Sequence, residues 1–359
     1  MKRLFVQRQS LSANLGLAVA AVLLCLLAGE IAGRILSPTA SLWRYPNYIV
    51  EFAAPDHEFE AQMRYDPELG HVPVPGFSGL LKNQRLSFAA EGLRNHNLVS
   101  PPPAGASILA VGDSFTEGYF VEDDQSWPAH VERALHRPVL NAGVRAYGID
   151  QMVLRAEHLA PRYKPAVMVL AFIPEDIDRT QLSIRDNMHK PYFALAGDGV
   201  ELRNVPVPST PTYGDVNLAR RVLGHSFLLD FAMRRLRLFE LWYGAYTYAH
   251  HDGDAVSCRL MTRFAALGRR QHTEALVVAL YEDQDWTDAS LGADHHRRAR
   301  ALLACAARAG MATLDTWDGF AAASVARRVS DIYYGAHFTN RGNELAARLI
   351  ATALEPLAK

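Results

Sequence analysis

Two short stretches hold residue types that together could perform nucleophilic catalysis. The first is Gly112-Asp113-Ser114-Phe115-Thr116-Glu117-Gly118, directly behind an apolar run, where an open α/β sheet presents reactive side chains at the carboxyl end of a strand. A serine hydroxyl attacks poorly near neutral pH and needs a base. His337, within Tyr334-Gly335-Ala336-His337-Phe338-Thr339-Asn340-Arg341-Gly342 and just ahead of the last expected helix, is the best candidate. The competing role for Ser114 is a turn or helix-capping serine. The block is not a G-x-S-x-G elbow, because Thr116 stands two residues beyond Ser114. The sequence holds no G-x-x-x-x-G-K-[ST], G-x-G-x-x-G or H-E-x-x-H, which removes the commonest nucleotide and zinc-protease readings. His250-His251-Asp252 and Asp294-His295-His296 resemble metal clusters, but adjacent histidines diverge on a helix, so they read as solvated surface. Neither a metal nor an organic cofactor is implied.

These residues need elements to position them. From Ala106 onward, apolar runs alternate with amphipathic stretches, the pattern of parallel strands joined by crossover helices. The expected strands are Ser107–Val111, Val139–Asn141, Ala166–Phe172, Ala275–Leu280 and Ala312–Leu314. The expected helices are Trp127–Leu135, Ile149–Leu159, Arg259–Arg269, Asp294–Ala307 and Asn343–Leu354. This is an α/β chain with a mainly parallel five-stranded sheet. Residues 178–257 form a long polar insertion whose aromatics, among them Tyr213, Phe227, Phe231, Trp242 and Tyr243, make it a candidate substrate cap, although such rings more often serve packing. Residues 37–103 are rich in Pro, Tyr and polar residues; Asp66-Pro67 and Val72-Pro73-Val74-Pro75-Gly76 forbid long regular elements there. An extended strap with short strands is expected, followed by the main domain at 104–359.

The chain of 359 residues, 49% hydrophobic and 21% charged, has the composition of a folded globular protein. Its 37 Lys+Arg and 38 Asp+Glu leave a formal charge of -1 with no basic stripe, which argues against nucleic acid as a partner. Of three cysteines, Cys25 lies in an apolar run, leaving Cys258 and Cys305 as the one disulfide the sequence permits. No spacing suggests a structural zinc site.

The amino terminus carries Lys2, Arg3 and Arg8 ahead of an apolar run from Leu15 to Gly29 that continues to Leu36. A cleaved signal peptide and a retained anchor compete here. Glu30 and Arg34, four residues apart, can pair on one helix face and extend the helix to Leu36, and no clean A-x-A site follows, which favours an anchor at 1–36. The positive-inside rule then keeps the basic tip in the cytoplasm and exports everything after Leu36.

With these residues assembled, the chain resembles an SGNH, or GDSL-type, hydrolase over about residues 64–354. Gly112 to Gly118 matches the family's first block, Asn141-Ala142-Gly143-Val144 its second, and His337 to Gly342 its last; Tyr65-Asp66-Pro67-Glu68-Leu69-Gly70 and Gly92-Leu93-Arg94-Asn95 resemble the lead-in of membrane-tethered bacterial members. The resemblance implies a flavodoxin-like three-layer fold, Ser114 as nucleophile, His337 as base, and an oxyanion hole from the Ser114 and Gly143 amides. Two positions depart from the pattern. Glu175, in Phe172-Ile173-Pro174-Glu175-Asp176-Ile177, stands where the family places the Asn that completes the oxyanion hole, and an ionised carboxylate cannot donate a hydrogen bond. Tyr334 stands where the family places the Asp that orients the histidine, so either Asp331 reaches from six residues away or a backbone carbonyl holds Nδ1.

The implied activity is ester hydrolysis by a membrane-tethered, extracytoplasmic enzyme on O-acyl or O-acetyl esters of envelope glycans or lipids. Acyl transfer to a polysaccharide hydroxyl is the close variant. A degenerate domain that binds glycan or scaffolds an assembly is the alternative of a different class, against which the retention of both Ser114 and His337 argues.

Overall fold

The computed structural model describes residues 2–37, 45–47, 49–50, 57–81, 83–94, 104–209, 216–236, 238–244, 246–326 and 328–357. Parts of the expected strap (38–44, 51–56 and 95–103, Asn95 included) and Tyr213 lie outside the described residues. Five apolar runs form the strands β1 (Ile108–Gly112), β2 (Val139–Asn141), β3 (Val167–Phe172), β4 (Glu274–Ala279) and β5 (Ala312–Asp315). They pair in parallel in the order β5-β4-β3-β1-β2, a doubly wound sheet. The chain moves outward from β1 to β2, then crosses back to β3 on the other side of β1. Such a reversal opens a crevice at the carboxyl ends of β1 and β3.

Strand side chains alternate between two cores. Leu109, Val111, Met168, Leu170, Phe172, Ala275, Val277 and Ala279 pack with α2 (Ile149–Tyr163), α3 (Gly253–Gln271) and α4 (Ala289–Arg308). Ile108, Ala110, Val167, Val169, Ala171, Leu276 and Val278 pack with α1 (Trp127–Leu135) and α5 (Asn340–Leu354). Helices on both faces leave the central strands without a wet side, which is why those strands read as unbroken apolar runs instead of alternating ones. The expected strands and helices are all present, with α2, α3, α4 and α5 each longer than the sequence indicated. The Asn343 side chain accepts from Trp127 N at 2.9 Å and ties α5 to the start of α1. Cys258 and Cys305 form a disulfide that links α3 to α4.

The chain divides into two compact units, and they cut it differently from the boundaries at 36 and 103. One unit joins Asp56–Pro211 to Thr247–Lys359; it contains the sheet and takes in the strap from His57 to Arg94. The reason lies in Arg94, whose backbone bridges to Asn141 at the end of β2 and whose side chain is almost fully buried. The other unit joins Met1–Pro55 to Thr212–Tyr246. Residues 178–257 are therefore not one insertion: the hairpin Tyr192–Ala196 with Gly199–Arg203 belongs to the sheet unit, while 216–246 belongs with the N-terminal helix. That helix runs Lys2–Leu36, and its stretch Ala13–Leu36, whose most apolar 18 residues have a mean hydropathy of 2.4, is long and apolar enough to cross a membrane.

Candidate active site

Ser114 opens a single helical turn, Ser114–Glu117, directly after β1. Asp113 caps this turn, its Oδ1 accepting from Phe115 N at 2.9 Å. The turn ends at Gly118, whose φ of 86° is the left-handed conformation glycine adopts without a Cβ clash. Ser114 Oγ lies 2.8 Å from His337 Nε2, and His337 Nδ1 lies 2.9 Å from the Gly335 carbonyl. A carbonyl only accepts, so Nδ1 carries the proton and Nε2 is left to accept from the serine. Burial, the largest influence, pulls the His337 pKa below its ordinary value, against the opposing pull of the Gly335 carbonyl and Asp113. The imidazole is therefore neutral at pH 7, the form a general base requires.

Of the two expected ways to orient His337, the structure has the backbone carbonyl, that of Gly335, in place of Asp331. Asp331 sits in the short helix Val329–Ile332, and its backbone carbonyl accepts from Thr339 Oγ1 at 2.8 Å. The tight hairpin pairing Tyr333–Tyr334 with His337–Phe338 turns at Gly335 and Ala336, both at positive φ, and this folds the Gly335 carbonyl back onto the imidazole. Aromatic rings close around the base. Phe115 stacks on His337 at 5.2 Å between centroids, Tyr119 lies at 4.9 Å, and Phe120 meets it edge-on at 5.4 Å. Phe120, at φ 69°, also packs edge-on against the exposed Tyr334.

Gly143 follows β2 and sits on the nucleophile turn. A Cβ there would lie 2.2 Å from Glu117 N and 2.6 Å from the Thr116 carbonyl carbon, so only glycine fits. Its own amide donates to Asn141 Oδ1 at 3.1 Å. The expected oxyanion role of Gly143 thus competes with an internal partner, whereas the Ser114 amide is the first of its helical turn, a position with no intrahelical acceptor.

Glu175, the third expected member of the hole, follows β3 and is held instead as an ion pair. Its Oε2 lies 3.1 Å from Arg179 one turn on, and its Oε1 lies 3.8 Å from Arg185. Arg179 outweighs burial and lowers the Glu175 pKa, so the side chain is a carboxylate without a proton to donate. Glu175 is thus no member of the oxyanion hole as a donor, in line with the chemistry of an ionised carboxylate. Arg179 itself is buried and also meets Asp176, Asp113 Oδ2 at 3.4 Å and the Tyr147 carbonyl at 3.1 Å. Burial raises the pKa of Asp113 and of Asp176 against this arginine. Glu282, beyond β4, is pushed up to about 8 by burial and then by Glu175.

The scaffold behind the serine depends on residues the sequence analysis gave no role. The Glu117 carboxylate, fully buried, accepts from Arg145 Nη2 at 2.7 Å and from Arg145 N at 2.7 Å, which locks the loop after β2 to the nucleophile turn. Arg145 lies over the Tyr119 ring at 5.0 Å. Arg94 donates to the Glu117 carbonyl at 2.7 Å and the Val121 carbonyl at 2.6 Å, to Gly118 O as well, and pairs with Asp123 at 3.0 Å. A guanidinium's fixed fork suits this clustering of carbonyls at the end of one helical turn. Glu117 and Arg94 both lie in the blocks that carry the family resemblance, but nothing local marks their partners.

His295 and His296 point to separate acceptors, Asp285 at 2.6 Å and Asp315 at 3.1 Å. Among the described residues no group of three or more His, Cys, Asp or Glu side chains is placed to hold a metal ion.

No family model and no curated protein matches the chain. The fold is similar to several solved structures at low identity. TesA is 14% identical, with a TM-score of 0.41 over 70% of this chain and 99% of its own. A member of the lipolytic protein G-D-S-L family from Veillonella parvula is also 14% identical, with a TM-score of 0.41 over 68% and 96%. The acetylxylan esterase Axe2 from Geobacillus stearothermophilus is 11% identical, with a TM-score of 0.45 over 71% and 97%.

Proposed function

We propose that the protein is a serine ester hydrolase, tethered to the membrane by its N-terminal helix, that acts outside the cytoplasm on O-acyl esters of envelope glycans or lipids. The observation that carries this reading is the 2.8 Å contact between Ser114 Oγ and a His337 Nε2 whose other nitrogen is fixed by Gly335. A structural serine has no use for a neutral imidazole held in the accepting tautomer. The disulfide between Cys258 and Cys305 fits an oxidising compartment.

In the reaction, Ser114 Oγ attacks the ester carbonyl carbon while His337 Nε2 takes the hydroxyl proton. Negative charge gathers on the carbonyl oxygen, facing the Ser114 amide. Collapse breaks the bond to the leaving oxygen, and His337 returns its proton to that oxygen as the alcohol departs. Water then attacks the acyl-serine; His337 removes its proton, and the acid leaves as the proton passes back to Ser114 Oγ. A sugar hydroxyl in place of that water would make the enzyme an acyltransferase. With Glu175 in place of the family's oxyanion Asn, and with the Gly143 amide engaged by Asn141, turnover is expected to be low, since one missing donor costs roughly 100- to 1000-fold.

The test is hydrolysis of p-nitrophenyl acetate and of O-acetylated oligosaccharides by the full chain. Activity lost in both Ser114→Ala and His337→Ala supports the reading. Activity unchanged in either variant, or none in folded wild type, would replace it with the binding or scaffold role.

A further inference from the structure

The unit that contains the N-terminal helix is built with its polarity reversed. Helix Phe227–Arg235 buries Asp230, whose carboxylate accepts from Tyr45 Oη at 2.8 Å, Arg234 Nε at 2.8 Å and Tyr243 Oη at 3.2 Å. Its described apolar core is small, Ile49 and Val216 against Trp242 and Tyr243. The large apolar side chains instead face outward: Leu218 at 76% exposure, Val222 at 63%, Phe231 at 52%, Leu236 at 66% and Leu241 at 70%. A soluble protein rarely exposes so many in one 24-residue stretch without something to cover them.

The same unit shows where that stretch is attached. The Glu30 carboxylate accepts from Phe227 N at 2.8 Å, Leu228 N at 2.9 Å and Ser226 Oγ at 2.9 Å, so a residue of the N-terminal helix caps the start of helix Phe227–Arg235. Arg34 pairs with Glu30 at 2.7 Å and donates to the His225 carbonyl at 2.7 Å. Gly29 and Gly33, one turn apart, present bare backbone to Leu228 and Phe227. Small residues at this spacing let helices approach closely within a bilayer. Glu30 lies six residues before Leu36, about 9 Å along the axis. That matches the 5–10 Å depth to which interfacial helices sink below the headgroups. By sequence alone, residues 216–246 carry five arginines against two acidic residues, and of these Arg234 is paired with Asp230, which leaves a positive excess.

We infer that residues 216–246 form a monotopic element that lies in the bilayer interface beside the exit of the N-terminal helix, its apolar side chains in the acyl boundary and its arginines among anionic lipid phosphates. The occupant of the exposed face is lipid, because the Glu30, Gly29 and Gly33 contacts hold it at membrane depth and because its charge complements an anionic leaflet. This inference rests on the reading that the N-terminal helix spans the membrane.

The test uses the full chain reconstituted in vesicles of phosphatidylethanolamine and phosphatidylglycerol with or without brominated acyl chains. In a Cys25→Ser background, single substitutions Leu218→Cys, Leu236→Cys and Leu241→Cys carry an environment-sensitive fluorophore, and Asp198→Cys, in the hairpin of the other unit, serves as the solvent reference. The native Cys25, labelled in the unsubstituted chain, reports whether the helix spans. The inference expects brominated lipid to quench the labels at 218, 236 and 241 well beyond the one at 198, with weaker quenching in purely zwitterionic vesicles. Quenching at Cys25 without quenching at those three positions would overturn the interfacial element and leave the anchor standing, and label-to-label excimers there would put a second copy of the chain on this face instead. An unquenched Cys25 would remove the anchor and the inference together. Equal quenching in zwitterionic vesicles would overturn the role given to the arginines.

Discussion

Glu117 and Arg145, 28 residues apart in the chain, form a fully enclosed ion pair in which one carboxylate receives both the guanidinium and the backbone amide of its partner. The pair spans the carboxyl ends of β1 and β2 and fixes the turn that bears Ser114. Breaking a buried pair from one side leaves an uncompensated charge, at a cost of about 3–5 kcal/mol. Arg145→Met is therefore expected to lower the melting temperature sharply and to reduce kcat, and the double variant Glu117→Gln/Arg145→Met should recover a large part of the lost stability. Calorimetry on the two singles and the double measures this; additive losses would show that the residues do not act as a pair.

The Glu175 carboxylate is neutralised by Arg179 and Arg185, and it stands at the sequence position where the resemblance to SGNH hydrolases implies a hydrogen-bond donor. Glu175→Asn should raise kcat for p-nitrophenyl acetate by about tenfold or more, up to the roughly 100- to 1000-fold that one oxyanion donor commands. Arg179 keeps Asp176 and Asp113 as partners in that variant, so stability should change little. A fall in kcat with the fold intact would mean that Glu175 contributes to catalysis as a carboxylate.

Burial holds the His337 imidazole below its ordinary pKa, and its Nδ1 rests on a neutral carbonyl. A depressed base is already deprotonated in mildly acidic solution. The rising limb of kcat/KM against pH should accordingly lie below pH 6.5. Tyr334 is 67% exposed beside this hairpin, so Tyr334→Asp is tolerated by the fold and places a carboxylate near the imidazole, which moves the limb to higher pH. A limb at or above the ordinary histidine value in the wild type contradicts the assignment of His337 as a buried neutral base.

His71 lies buried under the loop after β2, its Nε2 3.1 Å from the Arg145 carbonyl and its ring against Phe59 and Tyr147. Burial lowers its pKa to about 4. Between pH 6.5 and about 4 the unfolded chain binds a proton there that the folded chain does not, so stability falls as pH falls through this window. The full loss is about 3 kcal/mol at 1.36 kcal/mol per unit. Denaturant titrations at pH 7 and pH 4.5 should show a smaller difference for His71→Gln than for the wild type; an equal difference would locate the acid sensitivity elsewhere.

The sheet was legible because β1, β3 and β4 are buried on both faces and leave continuous apolar runs, and Ser114 and His337 were legible because their blocks sit at strand and helix boundaries. What escaped the sequence is long-range polar pairing. Arg94 reaching the Glu117 and Val121 carbonyls, Arg179 reaching Asp113, and Glu30 capping a helix that begins at Phe227 have no local signature, since each partner lies on a different segment. The group that orients His337 was legible only in kind: a backbone acceptor carries no residue identity, so the sequence offers a backbone carbonyl beside Asp331 without saying that it is the one of Gly335.

The central claim is that Ser114 is activated by His337, and fluorophosphonate labelling followed by intact-mass measurement of the purified chain tests it most directly. The account predicts one phosphonyl adduct on the wild type and none on Ser114→Ala or His337→Ala. A folded wild type that takes up no label, or a His337→Ala variant that labels as fast as wild type, would contradict it.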